Sequence, residues 1–157
     1  MTDDTRDFVN MSSVLTGFAA SVLQPATDPQ GQAGQYLAFL TGPDSGVAEA
    51  MPALLDVYRA NDGKPPEAVG QAIMASPSAE LARRIIKLWY SGAWYEPFDA
   101  STGFADTLRI VSAQAYTSGL AWRAAQAHPM GYSLLRFGYW NTDPPALSAF
   151  TGDSTHG

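Results

Sequence analysis

The side chains that carry most protein chemistry are nearly missing from this chain, which has two His and no Cys. His128 precedes a proline and His156 is the penultimate residue. No His pair at helical spacing is therefore on hand to ligate a transition metal. No thiol is on hand for a zinc site, a disulfide or nucleophilic catalysis. A Ser-His-Asp arrangement would have to recruit His128, and no GxSxG-like turn accompanies it. Ser91-Gly92, directly after Tyr90, reads as a plain helix stop. Asp3, Asp4 and Asp7 suit the first turn of a helix, where the dipole favours negative charge. Gly31, Gly34, Gly42 and Gly46 follow no predicted strand, so they form neither a phosphate cradle nor a dinucleotide fingerprint. No carboxylate pair is singled out for acid–base work. The expectation is a chain with no catalytic, cofactor-binding or metal-binding residue of its own.

Large rings stand out instead. Trp89-Tyr90-Ser91-Gly92-Ala93-Trp94-Tyr95 sets four of them around one predicted helix end, Trp122 lies on the next helix, and Phe137-Gly138-Tyr139-Trp140 lies near the C-terminus. Trp89 and Trp122 fall on helices, where filling the core is the plainer reading. Trp94, Tyr95, Phe98, Tyr139 and Trp140 fall in segments without helical period, which normally run over the surface. Trp and Tyr on such segments read as partner-facing, each ring burying ~150–250 Å² when covered.

The elements that position these residues are helices, because apolar residues recur at three- and four-residue spacing and alternate almost nowhere. Phe8, Met11, Val14, Phe18 and Val22 predict a first helix over about Asp4–Leu23, with Gly17 inside it at a close packing contact. Tyr36–Leu40 is a short apolar piece ended by Thr41-Gly42-Pro43. Further helices are expected over Ala48–Tyr58 and Glu67–Met74, with Asn61-Asp62-Gly63-Lys64-Pro65-Pro66 as the break between them. The clearest helix has Ser76 as its cap, Pro77 at its first position, and an end near Gly92. A loop over Ala93–Gly103 and a helix over about Asp106–Ala127 follow. The expected fold is all-α: a single compact helical domain, 1–157, of five to six helices. Residues 4–127 form its helical body and 128–157 an irregular, aromatic-rich tail.

Length and charge narrow the function further. At 157 residues the chain suits one domain with a genuine core. Charged residues make up 15% of the sequence, against roughly 25% in an ordinary soluble protein. Either a partner covers part of the surface, or the chain is a compact monomer rich in small polar residues. Net charge is −6, and Arg83, Arg84 and Lys87 are the only local group of bases, which argues against nucleic acid and anionic membrane surfaces as partners. No apolar run reaches the ~18 residues of a membrane span. Met1–Asp7 is acidic and polar, so no cleavable export signal is expected.

Four motifs, in order along the chain, resemble one family. Phe8-Val9-Asn10-Met11-Ser12-Ser13-Val14-Leu15-Thr16-Gly17-Phe18 resembles its F-x-x-L-S-x-x-L-T-G opening. Ile86-Lys87-Leu88-Trp89-Tyr90-Ser91-Gly92 resembles its I-x-x-W-Y-x-G helix end. Ala115-Tyr116-Thr117-Ser118-Gly119-Leu120-Ala121-Trp122 resembles its A-Y-x-x-x-L-x-W segment, and Phe137-Gly138-Tyr139-Trp140 with Pro144 its G-x-W-x-x-x-P tail. The family is the small subunit of membrane-associated, flavin-dependent sugar and polyol dehydrogenases, named after D-sorbitol dehydrogenase and including the fructose, glucose and gluconate dehydrogenase small subunits.

The resemblance implies a non-catalytic chain without a cofactor. It would bind and stabilise a large FAD-containing subunit of the glucose-methanol-choline type and escort its export, with electrons passing on to a cytochrome c. It also implies a place at the periplasmic face of the inner membrane, although the twin-arginine signal of the family is absent here, which leaves the cytoplasm open. The cysteine that some members use to link to the large subunit is absent too, so the association would be non-covalent. The expected partner-facing residues are Trp89, Tyr90, Trp94, Tyr95, Phe98, Trp122, Tyr139, Trp140 and Pro144. The alternatives are a stand-alone helical protein-binding domain and, behind it, a small enzyme using carboxylates and tyrosines.

Overall fold

The computed structural model describes residues 3–27, 31–96 and 108–129. These residues are mostly helical, as the apolar spacing predicts. In chain order they form α1 (Asp3–Thr16), α2 (Ala20–Leu23), α3 (Gln32–Thr41), a 3-10 turn (Pro43–Ser45), α4 (Met51–Arg59), α5 (Pro66–Met74) and α6 (Ala79–Ser91). A short antiparallel pair, β1 (Ala93–Tyr95) and β2 (Leu108–Ile110), and two short helices, α7 (Ala113–Thr117) and α8 (Leu120–Ala124), complete them. The expected tail, from Met130 on, lies outside the described residues, as do Phe98 and the Phe137–Trp140 and Pro144 positions.

Each helix turns its apolar stripe to one shared core. Phe8 and Met11 of α1 meet Tyr36 and Leu40 of α3, Leu54 of α4, Ile73 of α5, and Ile85, Leu88 and Trp89 of α6; all of these are buried to within 1%. Burying each such side chain stabilises the fold by ~1.5–3 kcal/mol before entropy is counted. α1 is the central element and packs against α3, α4, α5 and α6. A polar clamp holds its solvent end: Arg59 of α4 bonds Asp7 at 2.7 Å and Asp4 at 2.5 Å. These ligands, the Asp7 hydrogen bond foremost, push the guanidinium further above its already high ordinary pKa.

The structure departs from the sequence expectations where glycine and non-local pairing decide. The first predicted helix breaks at Gly17, which sits at φ +76° and donates its N–H to Ser13 O at 2.9 Å. That is a left-handed helix stop. A Cβ there would meet nothing within 4 Å, so the expected packing contact is absent. The α6 helix begins at Ala79, two residues after Pro77, because Ser76 does not cap it. Ser76 Oγ accepts the N–H of Ser78 and donates to Ile73 O, closing a turn at the end of α5.

The predicted Asp106–Ala127 helix is not continuous either. Residues 108–110 pair as a strand with β1. Ser112 starts α7 by accepting the Ala115 N–H at 3.0 Å, and Gly119 interrupts before α8. A Cβ on Gly119 would come within 2.8 Å of Tyr90 O. At that position the chain presses on the end of α6, and only glycine fits. These breaks raise the count from the expected five or six helices to eight α-helical segments among the described residues.

Candidate interaction surface

The rings singled out in the sequence divide into two groups. Trp89 and Trp94 are 1% and 0% exposed, so the structure places both inside this chain and not at a surface. Trp89 stacks on Phe8, with centroids 6.2 Å apart, and meets Tyr36 edge-on at 4.9 Å. Its indole N–H donates to Ser12 Oγ at 2.9 Å, so the one polar atom of the ring is satisfied. Tyr36 beside it is itself fully buried and shares its hydroxyl with Gln32 Nε2 and Leu88 O. Burial pushes the Tyr36 hydroxyl up to about 12, against a lowering pull from Gln32.

Trp94, expected in an exposed loop, lies in β1. Its side chain points inward because alternate residues of a strand face opposite sides. The guanidinium of Arg84 stacks over it, 4.0 Å from the ring centroid, and Phe39 meets its edge at 5.9 Å. The indole N–H reaches Ser45 O at 3.1 Å and Glu96 Oε1 at 3.0 Å. Arg84 also bonds Tyr95 O and Glu96, so one cation ties the β1 strand to α6. The physical reason for the difference from expectation is the strand pair: it supplies hydrogen bonds that let this non-helical segment close over the core.

The second group is brought together on the outside. The same alternation turns Tyr95 of β1 to the other side, beside Ile110 of β2, which pairs with the buried Ala93 at the floor of the same face. Tyr90 from the end of α6, Tyr116 from α7 and Trp122 from α8 complete an open groove of about 290 Å³. Tyr116 and Trp122 meet edge-on at 5.6 Å, and the Trp122 indole N–H donates to Tyr116 O at 2.9 Å. Lys87 Nζ stands 3.6 Å above the Tyr95 ring centroid at the rim. Ile110 is 56% exposed, the large apolar side chain most open to water among the described residues. Sequence reasoning placed Tyr90, Tyr95 and Trp122 on a partner-facing surface, and the structure gathers these three in one place. Ile110 and Tyr116, both inside the expected Asp106–Ala127 helix, join the same groove: Ile110 through its pairing with Ala93, Tyr116 through the separate helix α7.

A larger groove of about 670 Å³ runs between the end of α1 and α5, lined by Val14, Phe18, Gly70 and Met74 with the carboxylate of Glu67. Among the described residues no group of three or more His, Asp or Glu converges as a metal site would require. No helix among them is long and apolar enough to cross a membrane.

Fold and surface thus define a small, mostly helical protein with Trp89 and Trp94 locked in the core and a ring-lined groove outside. A family model described as membrane-bound, FAD-containing D-sorbitol dehydrogenase matches residues 1–144. The chain belongs to that family, the one its four sequence motifs resemble. No curated protein and no solved structure matches it.

The family description raises the question of where FAD could sit. The larger groove does not fit it. A dinucleotide needs N–H donors or cations at its diphosphate, and that groove offers mainly apolar side chains, no cation and the anionic Glu67. The left-handed Gly92 is no cradle either, since a Cβ there would strike Ala115 O at 2.4 Å; protein backbone already fills that space.

Proposed function

We propose that this chain is the small, auxiliary subunit of an FAD-dependent sugar or polyol dehydrogenase. It binds and stabilises the FAD-containing catalytic subunit and contributes no reacting group. The single observation that carries this reading is the family match over residues 1–144. Two features of the chain support it. Its chemistry-bearing residues are scarce, with no Cys and two His, and its outward rings are concentrated in one groove, as at an interface anchored by Tyr and Trp. FAD, the sugar and the reacting groups then belong to the larger partner, of the glucose-methanol-choline type. An export role, with the pair acting at the periplasmic face of the membrane and passing electrons to a cytochrome c, extends the same reading.

The test is to express the flavoprotein with and without this chain. The reading expects more soluble flavoprotein, higher FAD occupancy and higher sorbitol-oxidising activity with the chain present. Equal yield, flavin content and activity in both preparations would refute it.

A further inference from the structure

We infer that the groove between the outward face of the β1–β2 pair and α7–α8 is the docking site for the catalytic subunit, and that it receives an apolar side chain flanked by a carboxylate. This rests on the auxiliary-subunit reading above and adds the place and the chemistry of the contact.

Volume narrows the occupant first. At about 290 Å³ the groove is at the low end of small-molecule sites, which run to roughly 300–1,000 Å³ and are usually more enclosed. It suits one or two anchoring side chains of a protein partner, the arrangement in which a few buried anchors carry most of an interface's energy. Its walls agree. Tyr90, Tyr95, Tyr116 and Trp122 present ring faces and edges, and Ile110 stands in water at 56% exposure until something covers it. The ring systems around Trp89 and Trp94, by contrast, are closed within the fold.

Charge then indicates whose side chain enters. Lys87 rests on the ring of Tyr95, one wall of the groove, and pairs with no carboxylate among the described residues. By contrast Arg6, Arg59, Arg83, Arg84 and Arg109 all hold acids. The face around the groove therefore offers the Lys87 cation to a partner. A second copy of this chain is a poor candidate. A two-fold contact sets the same patch against itself, so Lys87 would meet a surface rimmed by Lys87. The acidic end of the chain, Asp4, Asp7 and Asp56, is already occupied by Arg59. A different chain, carrying acid beside an apolar knob, fits both the rings and the Lys87 cation.

Placing a photo-crosslinking residue at the groove tests this in the full-length chain co-expressed with its tagged flavoprotein. With Ile110→p-benzoylphenylalanine, irradiation is expected to yield an adduct of this chain with the flavoprotein. The same residue at Met74, in the larger groove, should yield none. Ile110→Asp and Lys87→Glu should each weaken the purified complex about tenfold or more, while thermal melting shows both folded, since neither side chain is buried. The assignment is overturned if the position-110 adduct joins two copies of this chain, if only position 74 crosslinks, or if both charge variants bind as the wild type does. In those outcomes the wild-type complex still forms and the auxiliary reading stands. If the wild-type chain does not co-purify with the flavoprotein at all, both fail.

Discussion

The indole N–H of Trp89 on α6 donates to Ser12 Oγ on α1 across 2.9 Å, in a part of the core where both residues are buried. Helix α1 therefore carries a serine on its apolar stripe for a specific reason: the ring that fills the centre brings a donor with it. Ser12→Ala leaves that donor unpaired. The expected cost is about 1–3 kcal/mol, read as a lower midpoint with unchanged slope in urea denaturation. An unchanged midpoint would show that the indole finds another acceptor.

Tyr36 gives the fold an alkaline limit. Its hydroxyl is raised from 10.0 to about 12 by burial, so the folded state holds the proton more tightly than the unfolded chain. The stabilisation is present in full below pH 10 and is lost as pH rises through 12. Two pH units correspond to roughly 3 kcal/mol. Wild-type stability should therefore fall between pH 10 and 12 by about that much more than in Tyr36→Phe. The variant should also be weaker at neutral pH by ~1–2 kcal/mol, since Gln32 and Leu88 O lose a partner. Parallel pH profiles of the two proteins would contradict the assignment.

Two left-handed glycines should respond differently to a methyl group. Gly17, at φ +76°, has open space around the position of a Cβ. Gly92, at φ +71°, would place one 2.4 Å from Ala115 O. Gly17→Ala is expected to cost only the ~1–2 kcal/mol of a left-handed L-residue. Gly92→Ala adds a backbone clash between the end of α6 and α7 and should be clearly the more damaging in thermal melting. Equal shifts in the two would mean that α7 moves freely away from α6.

The helices were legible from the sequence where local periodicity sufficed. Phe8–Met11 and Leu81–Trp89 show spacing that only an amphipathic helix satisfies, and the Gly92 stop was visible in the residue itself. Trp94 and Ile110 were not legible. Their facing depends on a pairing between strands separated by twelve residues, and neither strand, at three residues, shows enough alternation to announce itself. Ser112 and Gly119 did carry a signal, a cap and a breaker inside the Asp106–Ala127 stretch, but Ala-rich surroundings with strong helix propensity masked it. Of the surface, Tyr90, Tyr95 and Trp122 were accessible to reasoning from composition. Lys87 was visible only as one of three neighbouring bases, and its place over the Tyr95 ring belongs to the fold.

Trp94 separates the buried rings from the rings of the outer groove. Because it is buried among Phe39, Arg84 and Ser45, Trp94→Ala should destabilise the isolated chain by about 3–5 kcal/mol, measured by chemical denaturation. Trp122→Ala, at the half-buried groove wall, should cost less stability and more partner affinity. A Trp94→Ala chain as stable as the wild type would place that ring outside the core.

Native mass spectrometry of the chain co-purified with its flavoprotein tests the central claim most directly. The account predicts a complex containing both polypeptides, with FAD retained by the larger one when the two are separated in the gas phase. Two independent species, or FAD carried by the 157-residue chain, would contradict it.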